Sequence, residues 1–490
     1  MSKGLIHHRS DLTTIATWAM FSRGLQPEFP LGVKHQAAQF KGPAHEDDSR
    51  IRDLTALPWC SIDNDDSRDL DQLTVGEALP HGRVRIYVAV ADVDALVKKG
   101  SPIDEHARIN TTTVYTSARI FPMLPERLCT DLTSLNPDQD RLAVVCEMEF
   151  SDDGLLTSAS IYRARVRNKA QLAYDAVSDW IEAKGELPAV AHRIKGMDAQ
   201  LRLQDDLAQK LRVLRRVEGA LEFETFQPRA VFDGERIVDI QLQPHNRARQ
   251  LIEEFMIATN GCTARYLAGL GDVSLRRVVR SPERWLRIVE VAKDYGVSLP
   301  REPDAQALEA FLARQHKRDP LRFPDLSLVI VKLMGSGEYV VERPQGEPIG
   351  HFGLAVQDYM HSTAPNRRYP DLITQRLLKA ALAEEKPPYS NEELAVLAAH
   401  CTAQEDAAQK VERQLRKSEA ALLLHSRIGQ RFDGLVTGIN PSGTWVRIFE
   451  PPAEGRLTGD LPELKVGQPL RVKLVSTSVE RGFIDFEIAH

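Results

Sequence analysis

The sequence has no long hydrophobic run. No window approaches the ~20 consecutive apolar residues that a membrane-spanning helix needs, and the N-terminal region lacks the apolar core of a secretory signal peptide. The absence of both signals predicts a cytoplasmic protein that does not enter a membrane.

Cysteine is scarce. The five cysteines of the chain are odd in number, lie far apart and form no CxxC pair: Cys60, Cys129, Cys146, Cys262 and Cys401. A disulfide framework or a zinc site needs paired or closely spaced cysteines, so this pattern excludes both classes. We expect all five thiols to be reduced and buried.

An excess of positive charge is also missing, since the formal net charge is −6. This balance argues weakly against nucleic acid binding, but the distribution of the charges matters more than their sum. In IYRARVRNKA alternate positions are basic, which on a β-strand would place four cations on one face: Arg163, Arg165, Arg167 and Lys169. Such a face can follow an RNA backbone, but an exposed, solvated strand has the same pattern.

The remaining composition is that of a globular protein, with 42% hydrophobic and 27% charged residues, and 490 residues are too many for one hydrophobic core. We predict an α+β protein of three units: a small helical N-terminal module (1–50), a large α+β domain (51–427) and a C-terminal five-stranded OB-fold barrel (428–490). In the barrel, Phe432 and Trp445 are candidates for stacking on RNA bases, and packing in the barrel core is the equal alternative.

The most informative stretch is IDNDDSRDLDQL, which carries five aspartates within nine residues: Asp63, Asp65, Asp66, Asp69 and Asp71. Their mutual repulsion is costly unless a cation balances it, and oxygen ligands suit Mg²⁺. A calcium-binding EF-hand is excluded because Arg68 and Thr74 stand where Gly and Glu are required. A solvated acidic turn remains the alternative at this point.

A second candidate site is the segment HSTAPNRRYPDLI, in which Thr363 and Pro365 predict the start of a helix. Arg367 and Arg368 would then lie near the positive end of the helix dipole, where cations are unfavourable unless an anion lies between them. The segment therefore indicates a phosphate site. An internal ion pair between Arg367 and Asp371 is the alternative explanation.

The acidic stretch resembles the catalytic signature of the ribonuclease II (RNB) family, in which an Ile-Asp pair is followed by acidic positions six, eight and nine residues later. Asp63, Asp69 and Asp71 match this pattern, whereas Gln72 replaces its last aspartate. Further similar segments follow in order, so that the resemblance covers roughly residues 55–427: FPMLPERLCTDLTSLNPDQDRLAVVCEM, LIEEFMIATN, GHFGLAVQDYMHSTAPNRRYPDLI and KVERQL. The barrel resembles the C-terminal RNA-binding domain of the family, but only about 50 residues precede the signature, too few for the two cold-shock domains of the bacterial prototypes.

The resemblance implies an RNB-type catalytic domain that degrades single-stranded RNA processively from the 3′ end and releases nucleoside 5′-monophosphates. It implies Mg²⁺, with Mn²⁺ as the alternative, bound by Asp63, Asp69 and Asp71. Gln72 is then the fourth candidate metal ligand. The resemblance implies no obligate protein partner.

Further residues gain a role only through the resemblance. Arg367 and Arg368 would hold the phosphates near the scissile bond, Tyr115 would stack on the last nucleotides, and Glu412 would lie at the 3′ end of the RNA. Taken alone, Tyr115 is equally compatible with ordinary packing and Glu412 with a solvated helix surface. The second stacking aromatic of the family has three candidates: Phe223, Phe226 and Phe232.

Two other functions are compatible with the sequence. Gln72 favours a catalytically weakened RNA-binding protein of the same fold. The three matching aspartates and the RRY segment (residues 361–373) favour catalysis. A DNA exonuclease with the same metal chemistry is the third reading, because contacts to a 2′-hydroxyl cannot be located from sequence.

Overall fold

The computed structural model describes residues 9–224, 228–242, 246–320, 322–343, 346 and 349–489. Its N-terminal part consists of two helices, α1 (Arg9–Ser22) and α2 (Leu31–Gln39). Both elements are helical, as predicted for this segment. In α1, apolar residues at helical spacing form one buried face: Leu12, Ala16, Ala19 and Met20.

A mixed sheet of seven strands forms the centre of the protein, in the order β1-β8-β7-β4-β3-β2-β9. Its elements and those between them are, in chain order, β1 (Arg52–Asp53), β2 (Cys60–Asp63), β3 (Gln72–Ala78), β4 (Val84–Ala91), α3 (Pro102–Asn110), the hairpin strands β5 (Val114–Tyr115) and β6 (Ile120–Phe121), β7 (Asp140–Phe150), β8 (Leu156–Arg167) and β9 (Ala170–Ala173). Among the strands of this seven-stranded sheet, β1 pairs in parallel with β8 and β2 with β9, and the other pairs are antiparallel. The near-continuous apolar run of β4 is buried because the strand lies in the middle of the sheet.

Helices and two small antiparallel ribbons follow the sheet. They are α4 (Tyr174–Ile181), α5 (Ala189–His192), α6 (Met197–Val217), β10 (Pro228–Asp233), β11 (Arg236–Leu242), α7 (Arg247–Gly269), β12 (Ser274–Val278), α8 (Trp285–Asp294), α9 (Ala305–Arg318), α10 (Phe323–Met334), β13 (Glu338–Glu342), α11 (Tyr369–Leu382) and α12 (Asn391–His425). Shorter turns are 3₁₀ at Pro80–Gly82, Val93–Ala95 and Phe352–Leu354 and π-helical at Arg127–Leu132. The long helix α12 begins with a capping box of Ser390 and Glu393 and leads to the C-terminal barrel.

The C-terminal strands close into a barrel in the order β14-β15-β16-β18-β17. Their bounds are β14 (Arg431–Asn440), β15 (Gly443–Ile448), β16 (Ala453–Leu457), β17 (Pro469–Ser478) and β18 (Phe483–Ile488). The predicted α+β class and five-stranded OB-type barrel are confirmed. An ion pair of 2.9 Å between Arg447 in β15 and Asp325 in α10 joins the barrel to the preceding helices.

Two further expectations concern the whole chain. All five cysteines are buried free thiols, as predicted. Across the part of the chain that the structure describes, no helix combines the length and the apolar character needed to span a membrane.

Candidate active site

The acidic loop joins two neighbouring strands at one end of the central sheet. Asp63 is the last residue of β2, and β3 begins at Gln72. A turn between Asn64 and Ser67 reverses the chain, and the Ala91 amide of β4 donates to the Asp71 carbonyl over 3.0 Å. Asp65 and Asp66, at the tip of the loop, are exposed. The sheet therefore fixes both ends of the acidic loop.

Asp71 is the most enclosed aspartate of this loop, with 3% of its surface exposed. Its Oδ1 accepts the Asn366 amide at 3.0 Å, and its Oδ2 accepts Arg367 Nε at 3.2 Å. Burial raises the pKa of Asp71 to about 7, although the Arg367 charge acts in the opposite direction. A buried carboxylate that still disfavours its charged form is suited to bind an additional cation.

Asp63 and Asp69 share the same electrostatic environment. Burial raises the pKa of Asp63 to about 7; the Arg367 charge lowers it and the Asp69 charge raises it further. The Asp69 Oδ2 atom accepts the Tyr115 hydroxyl at 3.0 Å. The structure thus brings the three aspartates predicted from the sequence into one charged region around Arg367.

The RRY segment approaches this region from α11. The prediction that its helix starts at Thr363 and Pro365 is wrong, since α11 begins at Tyr369 with Pro370 in its first turn. The residues before it instead form a turn in which the Arg367 and Arg368 amides donate to the Ala364 carbonyl. The physical reason for the shift is Arg368, whose backbone is extended (φ −137°, ψ 122°) and pairs with Thr112, so that the chain leaves helical geometry just before Tyr369.

The two arginines of this segment have different partners. Arg368 donates to Asp371 over 2.7 Å, and the Asp371 side chain is completely buried. The alternative pairing of Arg367 with Asp371 is therefore not observed, because Arg367 turns to Asp71. With 39% of its side chain exposed, Arg367 is the more accessible of the two for a phosphate, and Arg368 has 23%.

Tyr115 and Glu412 also meet at the site. The Tyr115 amide donates to Glu412 Oε1 over 3.1 Å, and 41% of the tyrosine surface remains exposed. Burial raises the pKa of Glu412, while the hydrogen bond from Tyr115 opposes this shift. The hairpin reaches the site because the preceding residues pair with the RRY segment, with Thr112 opposite Arg368.

Gln72 lies beside the aspartates but has a partner of its own. Its side-chain nitrogen donates to the Thr363 carbonyl. An ionised carboxylate at this position would have no proton to donate. The glutamine can therefore make a hydrogen bond between β3 and the segment around Thr363 that an aspartate could not make.

Sequence reasoning missed two residues of this region. Arg249, in the first turn of α7, donates to Asn64 Oδ1 over 2.6 Å and lies 4.5 Å above the Tyr174 ring. Asn366 is fully buried, and its side-chain oxygen accepts the Thr133 hydroxyl at 2.5 Å. A usable signal existed for Arg249, because a cation at a helix start opposes the helix dipole, as in the RRY segment.

Other predicted residues lie outside this cluster. Arg163, on β8, pairs with Glu46 at 2.7 Å and with the buried Asp92 at 2.8 Å, and Arg167 pairs with Asp140 at 2.6 Å. Lys169 follows the end of the strand, so only three cations of the expected stripe lie on β8: Arg163, Arg165 and Arg167.

The aromatic residues predicted as candidates for stacking on bases lie in different environments. Phe432 packs edge-on against Phe486 with ring centroids 6.4 Å apart, and Trp445 is half-buried. Phe223 packs against the cluster of α8–α10, Phe232 lies 4.9 Å below the Arg9 guanidinium, and Phe226 falls outside the described residues.

The acidic loop fits a hard divalent cation by the chemistry of its donors, since Asp63, Asp69 and Asp71 offer only oxygen. Among the described residues, however, no group of three His, Cys, Asp or Glu side chains converges closely enough to hold a metal ion. Two of the carboxylates are engaged instead by protein groups, Asp69 by Tyr115 and Asp71 by Asn366 and Arg367.

Comparison with protein families gives two matches. Residues 51–384 match the RNB domain, and residues 430–489 match the RNase II-type exonuclease C-terminal S1 domain. Ribonuclease R of Escherichia coli (strain K12) is 32% identical over 442 residues, which cover 86% of this chain and 52% of that protein. Ribonuclease R of Aquifex aeolicus is 30% identical over 481 residues, 90% of this chain and 65% of that protein. The chain thus spans about half the length of the Escherichia coli relative.

Solved structures share the fold. Mycoplasma genitalium RNase R in complex with ribose methylated single-stranded RNA has a TM-score of 0.88 at 23% identity, covering 98% of this chain and 78% of that one. Yeast Ssd1, described as a pseudonuclease, has a TM-score of 0.74 at 16% identity, covering 92% of this chain and 56% of that one. The same fold therefore occurs in a nuclease and in a pseudonuclease.

Proposed function

The chain belongs to the RNB family, and from this premise we propose that it is an exoribonuclease that hydrolyses single-stranded RNA from its 3′ end and releases nucleoside 5′-monophosphates. The observation that carries the proposal is the meeting of Asp71 with Arg367, in the charged region that also holds Asp63 and Asp69. Relatives named Ribonuclease R and a structural neighbour solved with single-stranded RNA support the same substrate.

The proposed roles follow from the contacts. Arg367, exposed on one side, would hold the phosphate at the scissile bond and offset its growing negative charge. Arg368 would act mainly through Asp371, which it holds in place. Tyr115 would stack on the last bases, and Glu412 would keep the tyrosine backbone at the site while facing the 3′ end.

We propose Mg²⁺ as the cofactor, with Mn²⁺ as the alternative, and Asp63, Asp69, Asp71 and Gln72 as the residues that would hold it. When bound, such a cation lowers the pKa of a coordinated water and stabilises the leaving oxygen. The raised pKa values of Asp63 and Asp71 support this assignment, because nearby positive charge is what both groups need to ionise at neutral pH.

A longer RNA path would continue over the barrel, where the two aromatic candidates, Phe432 and Trp445, are both half-buried. Arg165 could add a cation to this path. Arg163 and Arg167 would first have to exchange their carboxylate partners for phosphate, so we expect them to contribute less.

The division into 1–50, 51–427 and 428–490 remains our proposal for the domains. The five free thiols favour a reducing compartment, and we propose the cytoplasm.

A catalytically weakened RNA-binding protein is the second candidate. It is favoured by Gln72, whose amide is tied to Thr363, and by carboxylates that do not converge within the described part of the chain. End-labelled RNA and DNA of one sequence, incubated with Mg²⁺ or with EDTA, separate the candidates. Mg²⁺-dependent shortening of RNA alone supports the exoribonuclease, shortening of DNA alone supports a DNA exonuclease, and binding without shortening supports the second candidate.

A further inference from the structure

The Tyr115 hairpin, residues 114–121, is held from the N-terminal side by Arg9. In this hairpin only Val114 and Tyr115 pair with Ile120 and Phe121. The guanidinium of Arg9, at the start of α1, donates to the Ser117 carbonyl over 3.1 Å and to the Ala118 carbonyl over 3.3 Å. Two carbonyls at the tip of the hairpin therefore depend on one cation from the N-terminal module.

Helix α12 holds the hairpin from the other side. Glu419 accepts the Ser117 hydroxyl, and Glu412 accepts the Tyr115 amide. The two glutamates are seven residues apart, which places them on one face of the helix. Glu419 is 3% exposed, so its carboxylate has little access to water and gains from the serine hydroxyl.

So short a ribbon has little stability of its own, because even longer isolated hairpins are marginal in water. Its position must come from the groups that hold it. The hydroxyl of Tyr115 is 3.0 Å from Asp69, so any movement of the hairpin also moves the aromatic ring relative to the acidic loop.

We propose that Arg9, Ser117 and Glu419 are positioning residues that hold Tyr115 at the acidic loop, and that the N-terminal module thereby sets the length of the shortest RNA that stays bound. This inference rests on the proposed function. It gives α1 a part in the site although none of its described residues needs to touch RNA.

Arg23 provides a matched control. It follows α1 directly and donates to Gln414 of α12 over 2.8 Å, so it joins the same two helices without touching the hairpin. Glu419→Gln provides a second control, because an amide oxygen can still accept the Ser117 hydroxyl.

Hydrogen exchange of the peptide covering 114–121 tests whether Arg9 and Glu419 hold the hairpin, and the measurement does not depend on RNA hydrolysis. In Arg9→Ala and in Glu419→Ala we expect protection of this peptide to fall by about tenfold or more, as expected for the loss of charged hydrogen bonds. Arg23→Ala and Glu419→Gln should leave it near the wild-type level. Unchanged protection in both Arg9→Ala and Glu419→Ala would overturn the proposal. If Arg9→Ala fails to fold, Arg9→Met takes its place, because it keeps the aliphatic stem and removes the donors to the Ser117 and Ala118 carbonyls.

Limit fragments of an end-labelled oligonucleotide test the consequence for RNA. Arg9→Ala should stop at longer fragments, as we also expect of Tyr115→Ala, and the double variant should leave fragments of the same length as Tyr115→Ala alone. Additional lengthening in the double variant would show that Arg9 acts elsewhere. If the wild-type protein does not shorten RNA, the proposed function fails, whereas the exchange measurement still decides whether Arg9 and Glu419 hold the hairpin.

Discussion

Arg367 Nε and Asp71 Oδ2 are 3.2 Å apart, and this contact joins the RRY segment to the acidic loop across almost 300 residues of chain. The two neighbouring arginines therefore differ in their partners and in their exposure. Arg367 balances a buried carboxylate and remains partly exposed, whereas Arg368 is bound to the fully buried Asp371.

This division predicts different losses in two conservative variants. Arg367→Lys should lower kcat for RNA by about 10²-fold, because a lysine cannot contact Asp71 and a phosphate with the planar geometry of a guanidinium. Arg368→Lys should mainly lower the melting temperature, since a shorter lysine with a single ammonium replaces the guanidinium beside the buried Asp371 in poorer geometry. Steady-state kinetics and thermal unfolding of both variants check this, and equal kinetic losses with unchanged stability would contradict it.

The second prediction concerns pH and Asp71. A carboxyl whose pKa rises on folding, here to about 7, contributes stability below its unfolded pKa and loses that contribution as the pH rises through 7. In EDTA, Asp71→Asn should therefore be more stable than wild type at pH 8, by about 2–4 kcal/mol in the free energy of unfolding, with a smaller difference at pH 5. Urea unfolding at both pH values is the measurement, with Asp65→Asn on the exposed tip of the same loop as control. A variant that is less stable than wild type at pH 8 would show that ionisation of Asp71 costs the folded protein nothing and that its pKa is not raised by burial.

The third prediction concerns Tyr115. Removal of its ring forfeits base stacking of about 1–3 kcal/mol, so Tyr115→Ala should stop at longer limit fragments on a labelled oligonucleotide. Tyr115→Phe keeps the ring and loses only the hydrogen bond to Asp69, and its fragments should stay near the wild-type length. An unchanged fragment length in Tyr115→Ala would leave the tyrosine with a packing role only.

The fourth prediction concerns Gln72. If its carbonyl oxygen contributes to the metal site, Gln72→Asp should lower the Mg²⁺ concentration for half-maximal hydrolysis and Gln72→Ala should raise it. RNA affinity in EDTA should stay constant. Both variants lose the bond to Thr363, at a cost of about 1–3 kcal/mol, so the titration needs a temperature well below their unfolding. Superimposed titration curves would remove Gln72 from the metal site and point to Asp65 or Asp66.

The sequence predicted those features that depend on local pattern. The acidic loop and the RRY segment were both recognisable as candidate sites from their residue types and spacing. The five barrel strands were recognisable from short β-type runs separated by turn residues, and the structure has five strands there. The helix start was predicted too early, because Arg368 is extended and pairs with Thr112, a contact that no periodicity reveals. The Arg367 carbonyl accepts the Thr113 amide and the Tyr369 amide donates to the Thr111 carbonyl, so this stretch is held by a segment distant in the chain.

Partners distant in the chain could not be predicted. The basic strand suggested a phosphate path, but Glu46, more than a hundred residues away from Arg163, neutralises its guanidinium. Arg9 and Glu419 likewise meet the Tyr115 hairpin only in the folded protein. Charge pattern indicates what a side chain can bind, and tertiary structure decides whether that capacity is already used.

The central claim is that the acidic loop carries the hydrolysis of RNA from its 3′ end. It is tested most directly by 5′-labelled single-stranded RNA incubated in Mg²⁺ with the wild-type protein and with Asp71→Asn. We predict that the wild type shortens the labelled RNA stepwise from the 3′ end. Asp71→Asn should bind the same RNA but cleave it at least about 10²-fold more slowly. Near-normal turnover by Asp71→Asn, with the same stepwise products, would contradict the account.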